Sequence, residues 1–121
     1  DDRTCVACGA REGLSFQHRG RVGMGGGGAL PRPDESLTAC LPCNQGFEAH
    51  LSTKALRFGW AVRRFVIEQS IAYRVPVFYA VERGWFLVGR DGLRVPISRG
   101  RARGLMVEVY GAEYEKWENA L

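Results

Sequence analysis

Lysine is nearly missing from this sequence. Of the 17 basic residues in the 121-residue chain, only Lys54 and Lys116 are lysine, and the rest are arginine. The planar guanidinium forks onto phosphate oxygens, so the bias fits phosphate binding, although a coding sequence rich in G and C gives the same bias. Long apolar runs are missing too. None approaches the ~18 residues a bilayer-crossing helix needs, which excludes a membrane protein, and Asp1-Asp2-Arg3 does not read as a secretion signal. The remaining composition is ordinary. With 45% hydrophobic and 25% charged residues, the sequence reads as a globular chain of about one domain rather than a disordered one.

The net charge is +4 and unevenly placed. Residues 1–104 carry 16 basic and 9 acidic groups (+7), whereas residues 105–121 carry 1 basic and 4 acidic (−3). A polyanion would therefore prefer the first part of the chain.

The 4 cysteines are spaced for a metal. They fall as Cys5-x2-Cys8 and Cys40-x2-Cys43, two tight turns that each present two thiolates to one ion. Pairing inside each CxxC would instead make the small strained rings of a redox site, and no thioredoxin-like βαβ pattern surrounds either pair. The spacing predicts a structural Zn²⁺ held by Cys5, Cys8, Cys40 and Cys43. Such a site staples a small glycine-rich fold, and its thiolates suit a reducing compartment, so the expected location is cytoplasmic.

Between the knuckles, Leu14 and Phe16 alternate with polar neighbours and predict a short strand ending near His18. Residues 20–35 hold six glycines and two prolines and read as a loop. Leu37-Thr38-Ala39 predicts a second strand. After Cys43, Phe47, Leu51 and Ala55 recur at helical spacing, Ser52 and Thr53 offer a second cap, and Gly59 offers a stop. Zinc would then bring the end of the first strand to the start of the helix. His18, Asn44 and Glu48 would meet there, one imidazole with two oxygen donors, a combination suited to a hard cation and a phosphate. Arg19, Arg21 and Arg32 in the loop, with Arg57, Arg63 and Arg64 after the helix, are candidate DNA phosphate contacts, or else an ordinary solvated face.

These features together resemble a family. Cys-x2-Cys, a strand ending in His18-Arg19, a glycine-rich loop and Cys40-x2-Cys43-Asn44 before a helix are similar to the HNH, or ββα-metal, endonucleases. The likeness is to HNH proteins of actinobacterial bacteriophages in particular, through Phe16-Gln17-His18-Arg19-Gly20-Arg21, Cys43-Asn44-Gln45-Gly46-Phe47-Glu48-Ala49-His50 and Gly59-Trp60-Ala61-Val62-Arg63-Arg64. The resemblance implies an α+β fold, with a small zinc-stapled ββα-metal core. It implies a metal-dependent hydrolase of DNA phosphodiester bonds, with His18 as general base. Asn44, Gln17 and Glu48 would hold a catalytic divalent cation (Mg²⁺, Mn²⁺ or Ni²⁺). The chain departs from the family at Gln17, where Asp or His is usual, and at Ser36, where the middle Asn of the family name would stand. Those departures define the alternative, a catalytically decayed zinc module that binds DNA or a host protein.

The rest of the chain reads as an extension. The expected division is a zinc-bound domain over residues 1–64 and a β-rich extension over residues 65–121. Val75-Pro76-Val77-Phe78-Tyr79, Trp85-Phe86-Leu87-Val88 and Leu93-Arg94-Val95-Pro96-Ile97 predict a β-meander, with Asp91-Gly92 as a hairpin turn. Residues 105–121 predict a short strand, then a helix from about Ala112. This acidic tail is a candidate contact for a protein partner.

Overall fold

The computed structural model describes residues 3–20 and 32–120. Arg21 and glycines 23 and 25–28 lie outside the described residues, so the phosphate contact expected of them is not addressed.

Residues 3–13 form no helix or strand, and the first knuckle turns on Gly9, whose φ of +80° suits a residue without a side chain. Strand β1 (Leu14–His18) then pairs antiparallel with β2 (Ser36–Cys40), in a register that sets Leu14 opposite Cys40 and His18 opposite Ser36. The first knuckle takes the other edge of β2, where the Val6 N–H donates to the Thr38 carbonyl at 3.0 Å. β2 thus has neighbours on both sides, which is why nearly all of it is buried. Cys40 ends β2 and caps α1 (Leu41–Phe47), so strand, strand and helix follow in the order the sequence predicts.

The single helix expected after Cys43 is instead two, α1 and α2 (Ser52–Arg57). The break has a local cause. Leu51 folds back over Gly46, donating its N–H to the Gly46 carbonyl at 2.8 Å, and a Cβ on Gly46 would come within 2.7 Å of its side chain. The turn presents Ala55 to the core beside Trp60. Gly59, at φ +76°, ends α2 as expected.

Helix α3 (Arg64–Glu68) leads through a 3₁₀ turn (Ala72–Arg74) into an antiparallel meander of β3 (Val77–Tyr79), β4 (Gly84–Val88) and β5 (Arg94–Ile97). The Asp91-Gly92 turn sits between β4 and β5 as predicted. The strand expected near residue 105 is a correction. Residues there belong to α4 (Arg99–Tyr110), followed by α5 (Ala112–Asn119). Ala102, Met106 and Tyr110 bury one face at four-residue spacing, a helical period that outweighs the strand preference of Val107 and Val109.

Packing crosses the expected boundary after residue 64. One apolar cluster joins Val6, Leu37, Ala55 and Trp60 to Val77 and Val88. Another joins Val62 and Val66 to Met106, Tyr110, Tyr114 and Trp117. A chain of aromatic rings, Phe47 to Trp60 to Phe58 to Trp85, runs from α1 to β4 at centroid spacings of 5.7, 5.2 and 5.8 Å. Residues 65–121 therefore share their core with the segment before them.

Candidate metal centre and cleft

The four cysteine sulfurs all lie within 4.8 Å of one another. Zn–S bonds of about 2.3 Å in a tetrahedron set neighbouring sulfurs about 3.8 Å apart. Cys8 and Cys40 place theirs at 3.7 Å. All four residues are free cysteines, and Ala39, Leu14 and Phe47 pack around them. The donor set fits a structural metal such as zinc.

The thiols are unevenly tuned. Burial works to raise Cys5, but N–H groups of Cys40, Ala7 and Cys8 and the Cys8 thiol donate to its sulfur and bring it down to about 7. Burial pushes the Cys43 and Cys8 thiols up, and crowding by neighbouring sulfurs adds to it. The Cys5 thiolate is readily available, whereas Cys8 and Cys43 need a cation to hold them ionised.

Phe47, which packs against the cysteine centre, also lines a cleft of about 700 Å³. His18 enters it from the end of β1, Asn44 from α1, Glu48 from the residue capping α1, and Arg63 and Arg64 from the entry to α3. Phe47, Leu56, Trp60 and Val62 supply its apolar floor. The structure thus brings His18, Asn44 and Glu48 onto one cavity. Gln17 is not among its lining residues: one position along a strand, it points to the opposite face from His18, and its amide donates to the Ser15 hydroxyl. Ser36 faces His18 across the ladder, but its buried hydroxyl has no hydrogen-bond partner among the described residues.

Arg19 is a correction. Expected to meet phosphate, it is only 2% exposed, and its guanidinium donates to four backbone carbonyls: Gly59 (3.0 Å), Asp34 (2.9 Å), Ala72 (3.1 Å) and Val75 (2.9 Å). Burial pushes it down to about 10, partly offset by the neighbouring acidic groups Tyr110, Tyr79, Asp34 and Glu35, and at that value it is a cation at neutral pH. It is an internal peg. Asp34, whose carboxylate is wholly buried beside Arg32 at 3.3 Å, is another interior residue without a sequence signal, because Pro-Arg-Pro-Asp reads as surface turn.

The remaining candidate arginines are on the surface but engaged. Arg32 pairs with Asp34 and Glu35, and Arg57 lies over the Phe58 ring. Arg63 forks onto Glu113 of α5 at 2.7 and 3.3 Å, with its guanidinium over Trp117. Arg64, 80% exposed, pairs loosely with Glu68 at 3.4 Å. The acidic tail is correspondingly neutralised from within, since Glu108, Glu113 and Glu118 pair with Arg74, Arg63 and Arg103.

No family model, no curated protein and no solved structure matches this chain. The fold and site define a mixed α+β protein with two small sheets and a four-cysteine centre able to hold a metal such as zinc. No helix among the described residues is long and apolar enough to cross a membrane.

Proposed function

We propose that this chain is a metal-dependent DNA endonuclease of the HNH, or ββα-metal, type. The observation that carries the reading is the convergence of His18, Asn44 and Glu48 on one cleft, in a fold whose cysteine centre ties residues 5–8 to the end of β2 and the start of α1. His18 is exposed, as a base that takes a proton from water must be, and the role needs its imidazole neutral. Asn44 and Glu48 offer two oxygens, a donor set suited to Mg²⁺, which keeps several waters and leans on substrate phosphates. When bound, such a cation supplies positive charge to the phosphate under attack. Arg63 and Arg64 at the cleft position the backbone on either side without reading sequence.

A second reading has its own support. Gln17 points away from the cleft and the Ser36 hydroxyl bonds nothing among the described residues, so the ligand set is thin, as in a zinc module that binds DNA without cutting it. Incubation with supercoiled plasmid and Mg²⁺, Mn²⁺ or Ni²⁺ separates the two. Metal-dependent nicking by the native chain, lost in His18→Ala at unchanged zinc content, is the expected result. Salt-sensitive DNA retention without nicking selects the binding module. Absence of DNA affinity at low salt removes both.

A further inference from the structure

Of the arginines lining the cleft, Arg63 and Arg64 are held by carboxylates and Arg19 by backbone carbonyls, but a second group is not so held. Arg83, Arg99 and Arg101 are exposed, and no side chain among the described residues pairs with their guanidiniums. The fold brings them to one end of the three-stranded sheet. Trp85 pairs with Ile97, so the start of β4 and the end of β5 lie at the same end of the sheet, with Arg83 directly before the one and Arg99 two residues after the other. Arg101 follows in the first turn of α4, its N–H held by the Ser98 hydroxyl at 3.1 Å.

Helix stability does not explain this placement. The first turn of α4 has no acidic residue, and arginines there oppose the helix macrodipole. Gly100 weakens the helix further, yet a Cβ on it would meet nothing within 4 Å, so packing does not require a glycine. An open backbone flanked by guanidiniums is a surface that a chain of phosphates can approach closely.

We infer that Arg83, Arg99 and Arg101 form a second contact surface for the phosphate backbone of a nucleic acid, separate from the His18 cleft, which none of the three lines. The partner is chosen by chemistry, since the three cations are all planar forks matched to phosphate oxygens. The inference rests on the nucleic-acid part of the proposed function and not on cleavage.

The test measures binding of the full, zinc-loaded chain to a short labelled DNA duplex across a salt series. The variants are a triple substitution (Arg83→Gln, Arg99→Gln, Arg101→Gln) and a cleft pair (Arg63→Gln, Arg64→Gln). Each phosphate contact adds about 0.9 to the slope of log affinity against log salt, so the triple variant should lose affinity and shallow the slope by about that amount per arginine. Its thermal midpoint should match the native chain, and its nicking rate at saturating DNA should be unchanged. An unchanged slope in the triple variant overturns the inference, whatever the nicking assay shows. Displacement of the duplex by polyglutamate as readily as by unlabelled duplex also overturns it, in favour of an acidic protein. A shallower slope in a chain that never nicks DNA sustains this surface while removing the cleavage reading.

Discussion

Arg19 does for the interior what no apolar side chain there does, because its fork joins three loops that are far apart in sequence. Its four acceptors come from the turn before β2, the end of α2 and the segment leading to β3. Lysine cannot span them, so Arg19→Lys should leave buried carbonyls unmet and cost at least about 3 kcal/mol in urea unfolding. A loss below 1 kcal/mol would mean that water replaces the fork. Arg94 is the surface counterpart. It lies over the rings of Tyr79 and Phe86 and bonds Glu82, whose carboxyl it holds below its ordinary range. A depressed carboxyl stabilises the fold above its unfolded pKa and loses that contribution as pH falls through the folded one. Glu82→Gln should therefore cost up to about 1 kcal/mol at neutral pH, given its exposure, and nothing under acid conditions where both forms are neutral. Chemical denaturation at the two pH values checks it. Nothing in the string His18-Arg19 distinguishes a buried peg from a surface cation, which is why the sequence put Arg19 with the phosphate contacts. The meeting of His18, Asn44 and Glu48 on one cavity was legible because the CxxC spacing, a strand ending near His18 and helical spacing after Cys43 together indicate which chain segments meet.

Among the elements, legibility followed turn chemistry. The Asp91-Gly92 hairpin and the stop at Gly59 are written in residues whose backbone preference is strong, and both formed where expected. The split between α1 and α2 was hidden, because Phe47, Leu51 and Ala55 keep helical spacing through it. Only the contact of Leu51 with Gly46 reveals the bend. α4 was hidden differently. Its two glycines and its Val107 and Val109 argue locally against a helix, and burial of Ala102, Met106 and Tyr110 overrules them. Glycines 59 and 104 make a sharp contrast. A Cβ at Gly59 would lie 1.8 Å from the Pro76 carbonyl oxygen, at a φ that other residues avoid, whereas one at Gly104 would meet nothing. Gly59→Ala should destabilise by about 1–3 kcal/mol, and Gly104→Ala should stabilise by roughly 0.5–1 kcal/mol. Thermal midpoints of the two variants moving in the same direction would contradict the packing described for residues 58–62.

For the whole molecule, the sulfur centre and the aromatic chain are in series. Phe47 touches the cysteine cluster on one side and stacks on Trp60 on the other, and Trp60 continues through Phe58 to Trp85. Removing the metal should therefore not be a local event. Chelation of the zinc-loaded chain is expected to change the fluorescence of the tryptophans in one transition together with loss of secondary structure, and acid should release the metal as protons compete for the thiolates. Chelation that left the tryptophan signal intact would show that residues 65–121 stand on their own.

His18 is joined by a single peptide bond to Arg19, whose buried side chain donates to the carbonyl of Ala72, 53 residues further along. The ring on the cleft wall thus inherits its aim from a stretch it never touches. If His18 is the base of the proposed nuclease, loosening that distant stretch should blur its placement well before the protein comes apart, so loss of nicking on warming ought to run ahead of loss of fold.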